Sequence, residues 1–184
     1  MLDDRHYLIC LVIVIALCPA VWAQSHQPYA GQETRAIKAL SAAEIEDYQS
    51  GSGMGFAKAA ELNHYPGPKH VMELADELRL TADQRVKTQA IYDTMHQEAV
   101  QLGQRIVDTE RQLDHLFASK TITDATLQDQ IRDIAATQGR LRVVHLKAHL
   151  AQHAILTSEQ IQRYDTLRGY RRHGQQGPQH RHRH

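Results

Sequence analysis

Thiol chemistry is the first thing this 184-residue chain does without. Its two cysteines, Cys10 and Cys18, both lie in an N-terminal stretch that reads as an export signal, so the working protein has neither disulfides nor thiolate ligands. Any metal site must therefore draw on His, Met, Asp or Glu. Charge of one sign is also missing: 21 Lys and Arg face 21 Asp and Glu, and no strong field is left to recruit nucleic acid. No segment alternates apolar and polar residues as a strand would. Signatures of catalysis are absent as well. Gly51-Ser52-Gly53-Met54-Gly55 has the glycines of a phosphate loop, but no strand precedes it and neither glycine fingerprint is complete, so it reads as a hinge. The run from His145 to His149 lacks the Glu that a zinc protease carries beside its first His, and no Gly-x-Ser-x-Gly elbow occurs. The sequence therefore predicts a binding protein and not an enzyme.

The apolar stretch Leu8 to Leu17 falls short of the roughly 20 residues a membrane-crossing helix needs. Pro19 follows, and Val21-Trp22-Ala23 offers small residues where a signal peptidase reads, which predicts a signal peptide over 1–23 and a mature chain from Gln24. An uncleaved anchor is the alternative, because Asp3 and Asp4 outnumber Arg5 where a positive start is expected. Histidine is the outlier in what remains. Of the thirteen, only His6 would be lost with the signal. Such a surface gains positive charge as pH falls through about 6.5.

Residues 24–40 show no sustained period and read as a flexible leader. Leu40-Ser41-Ala42-Ala43-Glu44-Ile45 then carries a staple, a cap and a capping-box acid, so a short helix starts at Ser41. It meets the glycine run, resumes over about 56–62 and stops at Tyr65-Pro66-Gly67-Pro68; another short helix is expected over 69–79. Two long amphipathic helices follow. Met95, Ala99, Leu102, Ile106, Leu113 and Leu116 recur at helical spacing in the first, and Leu127, Ile131, Ile134, Leu141, Ala148 and Ile155 do so in the second. The break at Ser119 to Thr123 is too short for anything but an antiparallel pair. A hairpin about 54 Å long encloses little core of its own, and two of them packed together would bury far more, so a homodimer is expected. A last helix runs from Thr157 to about Gly169, and the His- and Arg-rich tail 171–184 has no apolar face to dock. The predicted fold is all-α: a long hairpin with short hooked helices at both ends.

Two pentapeptides match: Leu80-Thr81-Ala82-Asp83-Gln84 and Leu156-Thr157-Ser158-Glu159-Gln160. Each is a helix start, with Thr as cap, an acid in the positive first turn and Gln completing the capping box. Paired across a long hairpin, they resemble the motif of the Spy/CpxP, or LTxxQ, family and its ZraP- and CnrX-like heavy-metal sensors, over about Ser41 to Arg168. The resemblance implies a periplasmic, dimerising helical hairpin. Its implied roles run from ATP-independent chaperone of unfolded polypeptides to metal sensor, or to a regulatory subunit reporting to a membrane-bound signalling protein.

His145, His149 and His153 stand at successive four-residue steps, on one face of the second long helix. Two imidazoles so placed can reach one ion at about 2.0 to 2.1 Å. A polar flank in a His-rich protein accounts equally well for the spacing alone. With the turn at 119–123, residues whose numbers sum to about 242 face each other, which sets His96 beside the pair. His70, on the helix leading into the first motif, is the fourth candidate. In the metal sensors that the chain resembles, ligands precede both motifs, including His-x-x-x-Met before the second; here His149 stands at the Met position and Leu74 follows His70 by four. Glu73 and Glu77 are substitute oxygen donors. A site of His70, His96, His145 and His149 suits zinc, copper or nickel.

Overall fold

The computed structural model describes residues 27–171. The expected signal segment 1–23 and the tail beyond Arg171 lie outside the described residues. Residues 27–31 belong to a first unit and form one turn, in which the Ala30 N–H donates to the Gln27 carbonyl at 3.0 Å. From Gln32 onward the chain forms a separate helical unit.

That unit is all-α, as its periodicity requires. Its helices are α1 (Ala42–Gln49), α2 (Lys58–Glu61), α3 (Pro68–Glu73), α4 (Ala82–Ala118), α5 (Asp124–Ile155) and α6 (Ser158–Leu167). Among the described residues the only extended pairing is an isolated bridge between Ile37 and Leu40. Four of the helices start on a reciprocal capping box: Ser41 with Glu44, Thr81 with Gln84, Thr123 with Thr126, and Thr157 with Gln160. Each box satisfies two backbone N–H groups that the first turn leaves without an intrahelical partner.

α4 and α5 form the antiparallel hairpin, turning through Ser119 to Thr123 with Lys120 at φ 57°. Register is held at three levels. The Arg105 guanidinium reaches Asp133 at 2.6 Å, the Thr109 hydroxyl donates to Asp133 at 3.3 Å, and the buried Gln152 amide donates to the Thr88 hydroxyl at 3.1 Å. These pairings lie within a few residues of the register expected from the turn.

Apolar side chains gather in two clusters. The first packs Tyr48 of α1 against Ala99, Ile106 and Val107 of α4 and Leu141 of α5. Helix α1 lies on α4 at backbone contact, since a Cβ at Gly103 would stand 1.9 Å from the Tyr48 carbonyl oxygen. The same cluster corrects the expectation of a flexible leader. Ile37 is 1% exposed and Leu40 8%, and the Lys38 N–H donates to Asp114 at 3.1 Å, so the leader's last residues are anchored on the hairpin. Periodicity could not reveal an anchor made of two side chains in a turn.

The second cluster closes the end of the hairpin where both motifs lie. Val71, Leu78, Leu80, Leu156 and Tyr164 bury together, with Ile161 packed against them. Helix α3 is shorter than the 69–79 expected. It ends at Glu73, and Arg79 at φ 52° then turns the chain so that Leu78 and Leu80 both enter this cluster before Thr81 starts α4. Helix α2 is likewise a single turn inside the 56–62 expected.

Candidate metal centre

The two motifs meet. The Gln84 carboxamide accepts from the Thr81 N–H at 3.1 Å and from the Gln160 amide at 3.0 Å, and donates to the Ile155 carbonyl and to the Gln160 oxygen, both at 2.8 Å. Gln160 mirrors it, accepting from the Thr157 N–H at 2.9 Å and donating to the Leu78 carbonyl at 3.3 Å. Each side chain uses both lone pairs and both N–H groups, the full capacity of a primary amide. This explains why both motifs end in Gln. A Glu would serve a lone capping box, but two carboxylates here would face each other and two carbonyls without a proton between them.

One step in from this latch, His70 of α3, His96 of α4, and His145 and His149 of α5 line a single cavity of about 440 Å³. The Ser50–Gly53 loop and Gly67, which precede α3, form part of its wall, together with Lys69 of α3 and Tyr92 and Met95 of α4. His145 is 4% exposed, its ring stacks on Phe56 at 5.8 Å, and its Nε2 is buried without a hydrogen-bond partner. Burial first, and then the neighbouring His149, hold its pKa below the ordinary histidine value, so it is neutral near pH 7. His149 places Nδ1 2.7 Å from the Tyr65 carbonyl. A carbonyl only accepts, so Nδ1 donates, and in the neutral ring this is the tautomer that leaves Nε2 able to ligate.

His70 and His96 are also held, but by partners at the rim. The His70 Nδ1 sits 2.8 Å from Glu73, whose carboxyl is lowered in pKa chiefly by that hydrogen bond. The His96 Nε2 lies 3.0 Å from the Ser50 carbonyl, with its ring stacked on Tyr92. The four candidates thus share one cavity without enclosing one point: among the described residues no three His, Asp or Glu side chains stand close enough to hold an ion as they are. His153 takes no part, since its ring stacks on Tyr65 at 4.4 Å. Nor do the two substitute acids, Glu73 being paired with His70 and Glu77 exposed.

Sequence reasoning missed Glu61. Its Oε1 accepts from the Tyr164 hydroxyl at 2.5 Å and the Tyr170 hydroxyl at 3.0 Å, with the Arg168 Nε at 3.6 Å. Its Oε2 is buried with no hydrogen-bond partner, 3.7 Å from the His149 Nδ1. Tyr164 is fully buried, and its pKa is raised by burial and then by the Glu61 carboxylate, so it stays a proton donor. Nearby, fully buried Asp165 is approached by the His64 Nδ1 at 2.8 Å and the Arg171 Nε at 3.3 Å. The signal for this network was the glycine run before the Ala-rich α2, whose chemistry appears only when it folds over α5.

On the hairpin itself, two adjoining grooves run between α4 and α5. One, of about 830 Å³, is lined by Leu102, Arg105, Arg140, Val143 and Lys147. The other, of about 400 Å³, is lined by Ile91, Met95, Val144 and Ala148.

The family model described as "LTXXQ motif family protein" matches residues 67–168, more than half of the chain, and the chain belongs to that family. Membership supports, at family level, a Spy/CpxP-type stress protein; the proteins of that family are periplasmic, non-enzymatic stress and chaperone-type proteins. No helix among the described residues is long and apolar enough to cross a membrane. No curated protein and no solved structure matches the chain.

Proposed function

We propose that this protein is a metal-responsive member of its family, exported to the periplasm with Gln24 as its first residue, and that it takes a divalent ion such as zinc, copper or nickel between His70, His96, His145 and His149. The observation that carries this reading is the meeting of these four side chains, from three helices, in one cavity where the His145 Nε2 is buried and unpartnered. An imidazole nitrogen in that state has lost water and gained nothing. The bound ion would supply the missing partner and tie α3, α4 and α5 together. Closing on it requires the imidazoles to draw together, with His96 leaving the Ser50 carbonyl, whereas His70 can keep Nδ1 on Glu73 and ligate through Nε2.

The test is a titration of the protein with zinc, copper and nickel, following thermal unfolding and particle size together, with the tail histidines His173, His180, His182 and His184 replaced by Gln. Because the ion binds the folded state only, an excess of about 100 times Kd should add roughly 2.7 kcal/mol of stability. His149→Ala should remove most of that gain, and the gain should fade below about pH 6 as protons compete for the imidazoles. Equal shifts in the parent, His145→Ala and His149→Ala proteins would reduce the cavity to a polar helix flank.

A second reading, an ATP-independent chaperone that works as a homodimer, is favoured by the open apolar and basic grooves between α4 and α5. A second copy, an unfolded polypeptide or a membrane-bound signalling protein would each cover apolar surface there. Aggregation of a denatured client, measured without ATP and with and without metal, separates the readings; failure to suppress it by a folded dimer removes the chaperone.

A further inference from the structure

We infer that the C-terminal end of this protein docks on an anionic phospholipid surface, through the arginines of α6 and of the tail together with the exposed Leu62 and Leu167. The inference goes beyond the metal and chaperone readings and uses none of the residues assigned to either. The family-matched span ends at Arg168, so the family motif does not bring the arginines of the tail.

Charge is balanced over the chain as a whole, with 21 cations and 21 anions, but it is segregated along it. From Gln162 to His184 the chain carries Arg163, Arg168, Arg171, Arg172, Arg181 and Arg183 against a single acid, Asp165. That acid does not face solvent. Asp165 is fully buried, with the His64 Nδ1 at 2.8 Å and the Arg171 Nε at 3.3 Å. Glu61 is turned inward in the same way, with the Arg168 Nε at 3.6 Å, and Glu159 lies at the opposite end of α6. Even when Arg168 and Arg171 are counted as neutralised by these two carboxylates, Arg163, Arg172, Arg181 and Arg183 are left over. A cluster of four or more cations is what an anionic bilayer attracts.

Apolar surface lies beside that charge. Leu167 is 44% exposed, one helical turn from the exposed Arg163, and Leu62, directly after Glu61, is 52% exposed. Glu61 and His64 touch Tyr164 and Asp165, so the end of α2 and the last turns of α6 form one surface. Tyr170 fixes the point from which the tail departs: its hydroxyl donates to Glu61 at 3.0 Å, and its N–H donates to the Asp165 carbonyl at 2.8 Å. Leucines set among guanidinium groups suit the boundary between headgroups and acyl chains, where apolar area and attraction to anionic lipid add together. A folded acidic partner would demand a fixed pattern of contacts. The tail sequence, Arg and His among Gly, Gln and Pro, specifies none, and a bilayer asks for none.

Vesicle flotation tests this with the protein as isolated from cells, near neutral pH, at about 50 mM salt and with a chelator present. Vesicles of phosphatidylglycerol and phosphatidylethanolamine should bind the protein, and about 0.5 M salt should release it. Phosphatidylcholine vesicles control for insertion of Leu8 to Leu17, which needs no anionic lipid, and should bind far less. Replacing Arg172, Arg181 and Arg183 by Gln should weaken binding about 100-fold, at about fivefold per arginine. Leu62→Ser with Leu167→Ser should weaken it about tenfold. Replacing Arg111, Arg132 and Arg142, exposed cations of α4 and α5, by Gln removes the same charge and should change binding little. Polyglutamate at equal charge should not displace the vesicles. Unaltered binding by the tail variant, an equal loss in the α4 and α5 variant, or equal binding to neutral and anionic vesicles would each overturn the proposal. Displacement by polyglutamate would overturn it as well, and would assign the surface to an acidic polypeptide.

Discussion

Changing Gln84 to Glu leaves the helix cap in place and attacks only the pairing of the two motifs. The Gln84 oxygen accepts from the Thr81 N–H at 3.1 Å and from the Gln160 amide at 3.0 Å, and a carboxylate accepts from both as well. Lost are the two bonds that the Gln84 amide donates, to the Ile155 carbonyl and the Gln160 oxygen, each at 2.8 Å. At about 1 kcal/mol per bond, with a further 1 to 2 kcal/mol for setting a charge against two oxygens in a part-buried site, Gln84→Glu should destabilise the protein by about 3 kcal/mol at pH 7. Those oxygens disfavour the ionised form, so the new carboxyl at position 84 has a folded-state pKa above the unfolded value of about 4.3. The sign is then fixed: the penalty is full at neutral pH and shrinks as pH falls through the folded pKa, because protonation restores one donor. Urea unfolding followed by far-UV circular dichroism at pH 7 and pH 4, referenced to the parent at each pH, measures both effects. If the motif were only a cap, Glu would match Gln there, and a negative charge at a helix N-terminus would even help. A variant as stable as the parent at pH 7 refutes the latch.

Gly103→Ala should cost about 1 to 3 kcal/mol, since its Cβ meets the Tyr48 carbonyl oxygen at 1.9 Å, whereas Gly139→Ala, with nothing within 4 Å, should stabilise α5 by about 0.5 to 1 kcal/mol. Denaturant titration of the pair checks the opposite signs. Burial lowers the pKa of His145 in the folded protein, so the unfolded chain takes up a proton first and stability falls as pH drops below about 6.5. His145→Gln should flatten that slope in metal-free buffer; an unaltered slope would place the titrating group elsewhere. Ile37→Ala should lower stability by about 2 to 5 kcal/mol despite lying outside every helix, and a loss under 0.5 kcal/mol by thermal unfolding would mean that the leader is not anchored.

Helices were legible in proportion to how local their causes are. The long pair followed from the spacing of Ala99, Ile106, Ile134 and Leu141, and the caps at Ser41, Thr81, Thr123 and Thr157 from side chains three residues from their partners. The hairpin register, which needs only the turn position, brought His96 close to His145 and His149 in expectation, and all three line one cavity. What stayed hidden depended on chain passing over chain. Ile37 docks on α4 without any period, Tyr65 orients His149 from 84 residues away, and Glu61 bonds Tyr164 across 103 residues. Nothing in the spacing of Gly51 to Gly55 says that the loop lies against His96, although the Ser50 carbonyl accepts from that imidazole at 3.0 Å. The pairing of Gln84 with Gln160 was hidden for another reason: each motif already had a complete local explanation as a helix cap.

Primary amides do not titrate, and this separates the latch from the cavity beside it. An imidazole is the group in the cavity that exchanges its lone pair for a proton in acid, and burial makes His145 resist that exchange. The Gln84 and Gln160 carboxamides bind the same protons at no accessible pH, and the Thr81 and Thr157 hydroxyls that share their capping boxes are equally indifferent. An acid pulse would therefore act on the histidines of the cavity while the glutamine latch at the end of the hairpin stays fastened, and a return to neutrality would find an unchanged frame.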